Sequence, residues 1–160
     1  MNIGIRPIEK KDNQNVAGLI RSVLREFKID RPGTVYFDPA TDHLFELFET
    51  PESVYWVLEE NGKITGGCGI FPTQGLPEGC VELVKFYVSP ESRGKGYGKK
   101  LMNRCFDSAI DFGFHQIYLE SLHELENAVG IYENAGFRRL PKPLGNSGHH
   151  ACSVWMLKDL

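Results

Sequence analysis

Three glycines alternate with other residues, mostly basic, in Arg93-Gly94-Lys95-Gly96-Tyr97-Gly98-Lys99-Lys100. Glycines in alternation let a chain curl tightly and present successive amide N–H groups with no side chain above them. Arg93, Lys95, Lys99 and Lys100 add counter-charge, so the loop suits a ligand carrying several negative charges, such as a diphosphate. A second signal lies just upstream. Glu82 interrupts the apolar run Val81–Val88, and a carboxylate in such a run needs a reason. It is either a proton acceptor in a site or an ordinary strand residue exposed at the sheet's entry end. The strand period of two places it on one face with Val84, Phe86 and Val88.

Other candidates carry less. His149 and His150 are adjacent, so in an extended chain their rings point apart, and no Cys or His stands at the short spacing a metal site needs. No metal is expected, from these or from His123. Cys68, Cys80, Cys105 and Cys152 are widely spaced without a CxxC pair. They read as small buried apolar residues in a reducing compartment.

The elements that must position the loop follow from hydropathy patterning. Asn2–Ile8 alternates as a short strand. Val16, Leu19, Ile20, Val23, Leu24 and Phe27 form the apolar stripe of a helix starting near Asp12. Asp38–Phe48 predicts a shorter helix. Val54–Glu59 and Ile64–Phe71 are strands joined at Asn61-Gly62, a strong hairpin signal, and the second is unusually rich in glycine. Val81–Val88 is a strand entering the basic loop. A helix from Gly98 to about Phe112 buries Leu101, Met102, Cys105, Phe106, Ala109 and Ile110. Then come a strand over Gln116–Glu120, a helix over Glu124–Asn134 and a last strand over Cys152–Leu157. The hairpin implies antiparallel pairing and the later strand–helix alternation implies parallel crossovers, so a mixed sheet covered by helices is expected. No linker or repeat divides residues 1–160, which predicts a single domain.

Two familiar phosphate loops fit poorly. GxxxxGK followed by Ser or Thr is absent. Gly94, Gly96 and Gly98 are spaced GxGxG, one residue short of the dinucleotide fingerprint, and the hairpin-led first half does not begin with a phosphate-binding unit. Composition excludes more. The formal charge of −3, from 18 Lys+Arg against 21 Asp+Glu, argues against nucleic-acid binding. No apolar run is long enough for a bilayer and the first residues lack a signal peptide's apolar stretch, so no membrane partner and a cytoplasmic location are expected.

The stretch Val88-Ser-Pro-Glu-Ser-Arg93-Gly-Lys-Gly96-Tyr-Gly98 resembles the acyl-CoA-binding signature of the GCN5-related N-acetyltransferase (GNAT) superfamily, with Arg93, Gly96 and Gly98 at its key positions. Asn127-Ala-Val-Gly-Ile-Tyr132-Glu-Asn-Ala-Gly136-Phe137 is similar to the family's C-terminal signature. The resemblance implies an α/β (α+β mixed) acyl-CoA N-acyltransferase fold: a central mixed, mostly antiparallel sheet of about seven strands flanked by about four helices. It also implies acetyl-CoA as co-substrate, without a metal. The amides across Gly94–Lys99, including Lys95 and Tyr97, would bind the pyrophosphate, and the backbone of Phe86, Tyr87 and Val88 would pair with the pantetheine arm. Asn127 would touch that arm, or cap its helix. A bulge would splay the strand from its neighbour over Ile117–Glu120.

Acetyl transfer to an amine needs a neutral amine, a stabilised oxyanion and a proton for the departing thiolate. Roughly one primary ammonium in a thousand is neutral at pH 7, so a carboxylate that relays the proton helps. The resemblance points to Glu82 as this base, acting through water, and to Tyr132 as proton donor to the sulfur; Glu120, ending the neighbouring strand, reads as the runner-up base, a reader of substrate charge or a solvent-facing terminus. Tyr132 also reads as an ordinary core tyrosine. Val88 N–H would serve the oxyanion. Gly130 lies inside the last helix, where it would permit close packing. The acceptor is a small-molecule, amino-acid or peptide amine, selected by the turn-rich loops Ile29–Asp38, Pro72–Gly79 and Pro141–His150, with Asp30, Tyr36, Phe37 and Asp38 as pocket candidates. The alternative on the same fold is a non-catalytic acyl-CoA sensor or regulatory domain. Family members are commonly dimers, so a homodimer stays open.

Overall fold

Alternation, helical stripes and turn residues fold the chain into a seven-stranded sheet with helices on both faces. The computed structural model describes residues 2–146 and 152–160, the side chains of residues 126 and 127 excepted. The strands are β1 (Ile3–Pro7), β2 (Val54–Glu60), β3 (Lys63–Phe71), β4 (Cys80–Val88), β5 (Gln116–Ser121), β6 (Arg138–Leu140) and β7 (Val154–Asp159). The helices are α1 (Asn13–Glu26), α2 (Leu44–Leu47), α3 (Tyr97–Asp111) and α4 (Glu126–Asn134). The predicted helix over Asp38–Phe48 is in fact a 3-10 segment, Pro39–His43, running into the single turn of α2.

Strand order is β1-β2-β3-β4-β5-β7-β6. Asn61 and Gly62 both take positive φ, as the two central residues of a tight hairpin turn require. Only the β4·β5 pair is parallel. The crossover through α4 does return the chain in the direction of β5, but β7 slots antiparallel between β5 and β6. Sequence patterning showed no strand at Arg138–Leu140, because three residues carry too little periodicity.

α3 covers one face through Leu101, Met102, Cys105 and Ala109, which pack with Val81, Leu83, Ile117 and Leu119. α1 covers the other through Val16, Ile20 and Leu24, packed with Tyr55 and Val57. Ile110, expected inside, is 54% exposed at the end of its helix. Gly130 is exposed, with nothing within 4 Å of where a Cβ would stand, so it packs closely against none of the described residues. Asn127 lies inside α4, whose N-cap is Leu125, which removes the capping reading. Cys68, Cys80 and Cys105 are buried free thiols. Among the described residues no helix is long and apolar enough to cross a membrane.

Candidate active site

The site is built around an irregularity in β4. Between the pairs Gly67↔Tyr87 and Gly69↔Val84, β3 advances two residues while β4 uses three. Lys85 takes up the extra position with φ +54, a left-handed value that costs a lysine energy and bends the strand. The bulge inverts the side-chain phase. Val81 and Leu83 face α3, and past the bulge so do Phe86 and Val88, whereas Val84 and Tyr87 face α1. The expected common face of Glu82 with Phe86 and Val88 is therefore wrong: strict alternation fails at Lys85.

The bulge is braced from two strands away. The Tyr55 hydroxyl on β2 donates to the Lys85 carbonyl at 2.8 Å, crossing β3 to reach it. The crossing explains two of the glycines of β3. A Cβ at Gly67 would stand 2.4 Å from the Tyr55 hydroxyl oxygen, and one at Gly69 would stand 2.7 Å from its ring.

Beyond the bulge β4 leaves β5. The two pair only at Cys80↔Gln116, Val81↔Ile117 and Glu82↔Tyr118, and a cleft opens between Leu83–Tyr87 and Glu120–Leu122. Ser89 N–H donates to Thr65 O on β3, so by strand alternation the preceding amide, Val88 N–H, points away from β3 and toward the gap.

The glycine loop follows β4 and leads into α3. Gly94 and Gly96 take φ of +74 and +83, with open space where a Cβ would be. Gly98 is glycine for another reason: a Cβ there would meet the Phe86 ring at 3.0 Å. Among the described residues, no protein group accepts a hydrogen bond from the amides of Gly94, Lys95, Gly96, Tyr97, Gly98 or Lys99, and the first bond of α3 is Lys100 N–H to Gly96 O. Six donors without an acceptor among the described residues and the positive end of a 15-residue helix thus lie close along the chain beside exposed Lys95, Lys99 and Lys100. The loop is anchored behind by buried Ser92, whose hydroxyl donates to Glu60. Arg93 does not offer the loose counter-charge expected of it. Its guanidinium forks onto Glu26 of α1 at 2.7 and 2.8 Å, and its Nε donates to Val88 O at 2.9 Å. It fixes the loop against α1.

Glu82 and Tyr132 approach the cleft from opposite faces of the sheet. Glu82 is 3% exposed and accepts a hydrogen bond from Thr73 Oγ1. Burial pushes its carboxyl up to about 7; Glu120 adds to the rise, while the Thr73 bond and Lys85 oppose it. Tyr132 lies between Phe86 and Phe137, with ring centroids 6.0 and 5.9 Å away, and no group among the described residues bonds its hydroxyl. Burial raises its phenol well above the ordinary range. Glu120 lines the same cleft and accepts from Tyr118 Oη at 2.7 Å. Only the splay lets residues of both faces meet one space.

The three loops expected to select an acceptor all reach this region. Thr34 and Val35 line the cleft, Thr73 holds Glu82, and Leu144 N–H donates to Tyr118 Oη. Of the four pocket candidates, Asp38 comes nearest, 3.9 Å from Lys85 Nζ. Tyr36 lies instead under Arg21 and Arg25, and Phe37 is 58% exposed. Sequence reasoning passed over Lys85 and Tyr55. The rule that singled out Glu82, a charge in an apolar strand, applied equally to Lys85. His149 and His150 lie outside the described residues, and among those described no cluster of His, Cys, Asp and Glu could hold a metal.

Residues 11–137 match the acetyltransferase (GNAT) family. The chain is 37% identical over 157 residues to the uncharacterized N-acetyltransferase YjgM of Escherichia coli K12, covering 98% of this chain and 94% of that one. Its fold matches a GNAT-family acetyltransferase from Staphylococcus aureus Mu50 with a TM-score of 0.87 at 22% identity, over 99% of both chains. It also matches a GNAT-superfamily phosphinothricin acetyltransferase from Sinorhizobium meliloti, in complex with acetyl-CoA, with a TM-score of 0.77 at 20% identity. That match covers 100% of this chain and 89% of the other.

Proposed function

The chain is an acetyltransferase of the GNAT family, and on that premise we propose that it transfers acetyl from acetyl-CoA to the amine of a small molecule, amino acid or peptide by direct attack in a ternary complex. The observation that carries this reading is the set of six amides at the head of α3 that no group among the described residues accepts from, in the loop that directly follows the strand β5 leaves unpaired.

The residues fit the coenzyme. The amides of Gly94–Lys99 would take the pyrophosphate oxygens, with Lys95, Lys99 and the helix dipole supplying positive potential. The β4 edge that β5 leaves unpaired, from Leu83 onward, offers backbone groups of Phe86, Tyr87 and Val88 to the two amides of a pantetheine arm, as an added strand would. Asn127, in the first turn of α4, would touch that arm. Acetyl-CoA supplies an activated carbonyl and a thiolate leaving group.

The chain's own groups then manage charge and protons. Val88 N–H would donate to the carbonyl oxygen as negative charge builds there. Glu82, raised to about 7, is half-ionised near neutrality, which suits a base that takes the amine's proton directly or through a water. Tyr132, with its phenol kept protonated by burial, would return a proton to the sulfur. Base and acid on opposite sides of the gap keep the two transfers separate.

Calorimetric titration with acetyl-CoA, CoA and NAD, then thiol-release assays over an amine panel, test the proposal. Binding of both CoA species but not NAD, with acetyl-CoA consumed only when an amine is present, is the expected result. No CoA binding would end the proposal, and binding without turnover on any amine would leave an acyl-CoA sensor.

A further inference from the structure

Lys85 is a buried cation that the proton chemistry above does not use. It sits in the bulge, 8% exposed, and lines the cleft together with Glu82 and Glu120. An ammonium carries three N–H donors. Among the described residues none of them makes a hydrogen bond, and the one ion pair, to Asp38 Oδ2, is 3.9 Å long. That separation is beyond hydrogen-bond reach. A cation so largely withdrawn from water, with no acceptor in reach among the described residues, is stabilised by an arriving anion. Burial accordingly lowers the Lys85 pKa, with Asp38 and Glu82 pulling the other way.

The rest of the cleft says what the partner is. Glu82 and Glu120 put carboxylates on the amine-handling side, and Leu24, Val35, Leu122 and Leu125 provide hydrocarbon walls. A molecule complementary to that lining has an amine for the carboxylates, an apolar body, and an anion for Lys85.

We propose that Lys85 recognises a carboxylate on the acyl acceptor, and that the acceptor is a small amino-acid-like molecule bearing both a free amine and a carboxylate. The inference rests on the transferase reading above and narrows its acceptor. A substrate carboxylate supplies the acceptors that Lys85 lacks, in a site where charge-assisted hydrogen bonds gain strength from the exclusion of water. Asp38, whose side chain is 32% exposed, partly compensates the ammonium until the substrate enters. An amine without a carboxylate leaves Lys85 unsatisfied, and the site discriminates against it on that ground.

The test pairs each of several amino acids with its decarboxylated amine, for example phenylalanine with phenethylamine. Thiol release is measured at saturating acetyl-CoA for wild type, Lys85→Met and Lys85→Arg. Thermal shifts of the CoA-loaded proteins with the same compounds give a second, non-catalytic readout. Wild type should favour the carboxylated member by about 100-fold or more in kcat/KM. Lys85→Met should collapse that ratio to within about threefold, mainly through KM, and Lys85→Arg should keep most of it. A wild-type ratio near one, or a ratio that survives in Lys85→Met even as both rates fall, would overturn the proposal. If no amine is acetylated, the transferase reading fails by itself, and the thermal shifts still decide. Stabilisation that needs both the carboxylate and Lys85 supports the inference; its absence overturns it.

Discussion

At the residue scale, the two groups proposed to move protons owe their properties to burial. An ordinary glutamate has given up its proton well below neutrality, but Glu82 sits at about 7 because little water reaches it and Glu120 lies on the same face. The rate of a wild-type enzyme using it as base should therefore rise with pH along a limb centred near 7. Glu82→Gln should flatten that limb and leave the largest deficit above it, measured as kcat/KM from pH 5.5 to 9; an unmoved limb would transfer the role to Glu120 or to water. The same shift bears on stability. The folded carboxyl holds its proton up to about 7 against 4.5 in an open chain, so between those values the folded state binds more protons and stability falls as pH rises. Glu82→Gln should then unfold at higher urea than wild type at pH 8, by about 1–3 kcal/mol, with little difference at pH 4.5. For Tyr132, whose hydroxyl has no protein partner among the described residues, Tyr132→Phe should cut kcat by about 100-fold and leave acetyl-CoA affinity within about twofold. Equal rates at saturation would remove it from the reaction.

At the scale of elements, the site depends on how β2, β3 and β4 fit together. Tyr55 can hold the Lys85 carbonyl only because Gly67 and Gly69 leave its ring room over β3. Tyr55→Phe leaves a buried carbonyl without its donor and should cost about 1–3 kcal/mol in urea unfolding. Gly67→Ala, with a methyl driven into the tyrosine, should cost a similar amount or more. Both variants should also raise the KM for acetyl-CoA, because the edge that the bulge frees is the edge proposed for pantetheine. A loss of stability with unchanged KM would show that the bulge keeps its shape without the brace. The loop before α3 is tied down by the same logic: Arg93 to Glu26, and Ser92 to Glu60. Among the described residues no group accepts a hydrogen bond from its Gly94–Lys99 amides.

At the scale of the whole molecule, the sheet opens between β4 and β5, so a ligand filling that opening should stabilise the entire fold. At 100 times its Kd a ligand specific to the native state adds about 2.7 kcal/mol. For a chain of 160 residues this corresponds to a rise in Tm of about 5–10 °C. Acetyl-CoA and CoA should both produce it by differential scanning fluorimetry, and NAD should not. An equal shift with NAD would point to a general nucleotide site at the glycine loop.

Much of this was legible in the chain itself. Glycine spacing, a strand before and a helix after located the loop proposed to hold the coenzyme's phosphates, because φ preferences and amide exposure are local properties. Hydrophobic periodicity placed the long helices and the hairpin, and an isolated carboxylate marked Glu82. The sequence did not place the bulge. Nothing local makes Lys85 adopt a positive φ; contacts from β2 and β3, up to 30 residues away, hold it there. With the bulge undetermined, so were the faces of Phe86 and Val88, the length of the β4–β5 gap, and the burial that sets the Glu82 pKa. Local chemistry is written in neighbouring residues; which side chains share a desolvated space is decided only when distant strands pack.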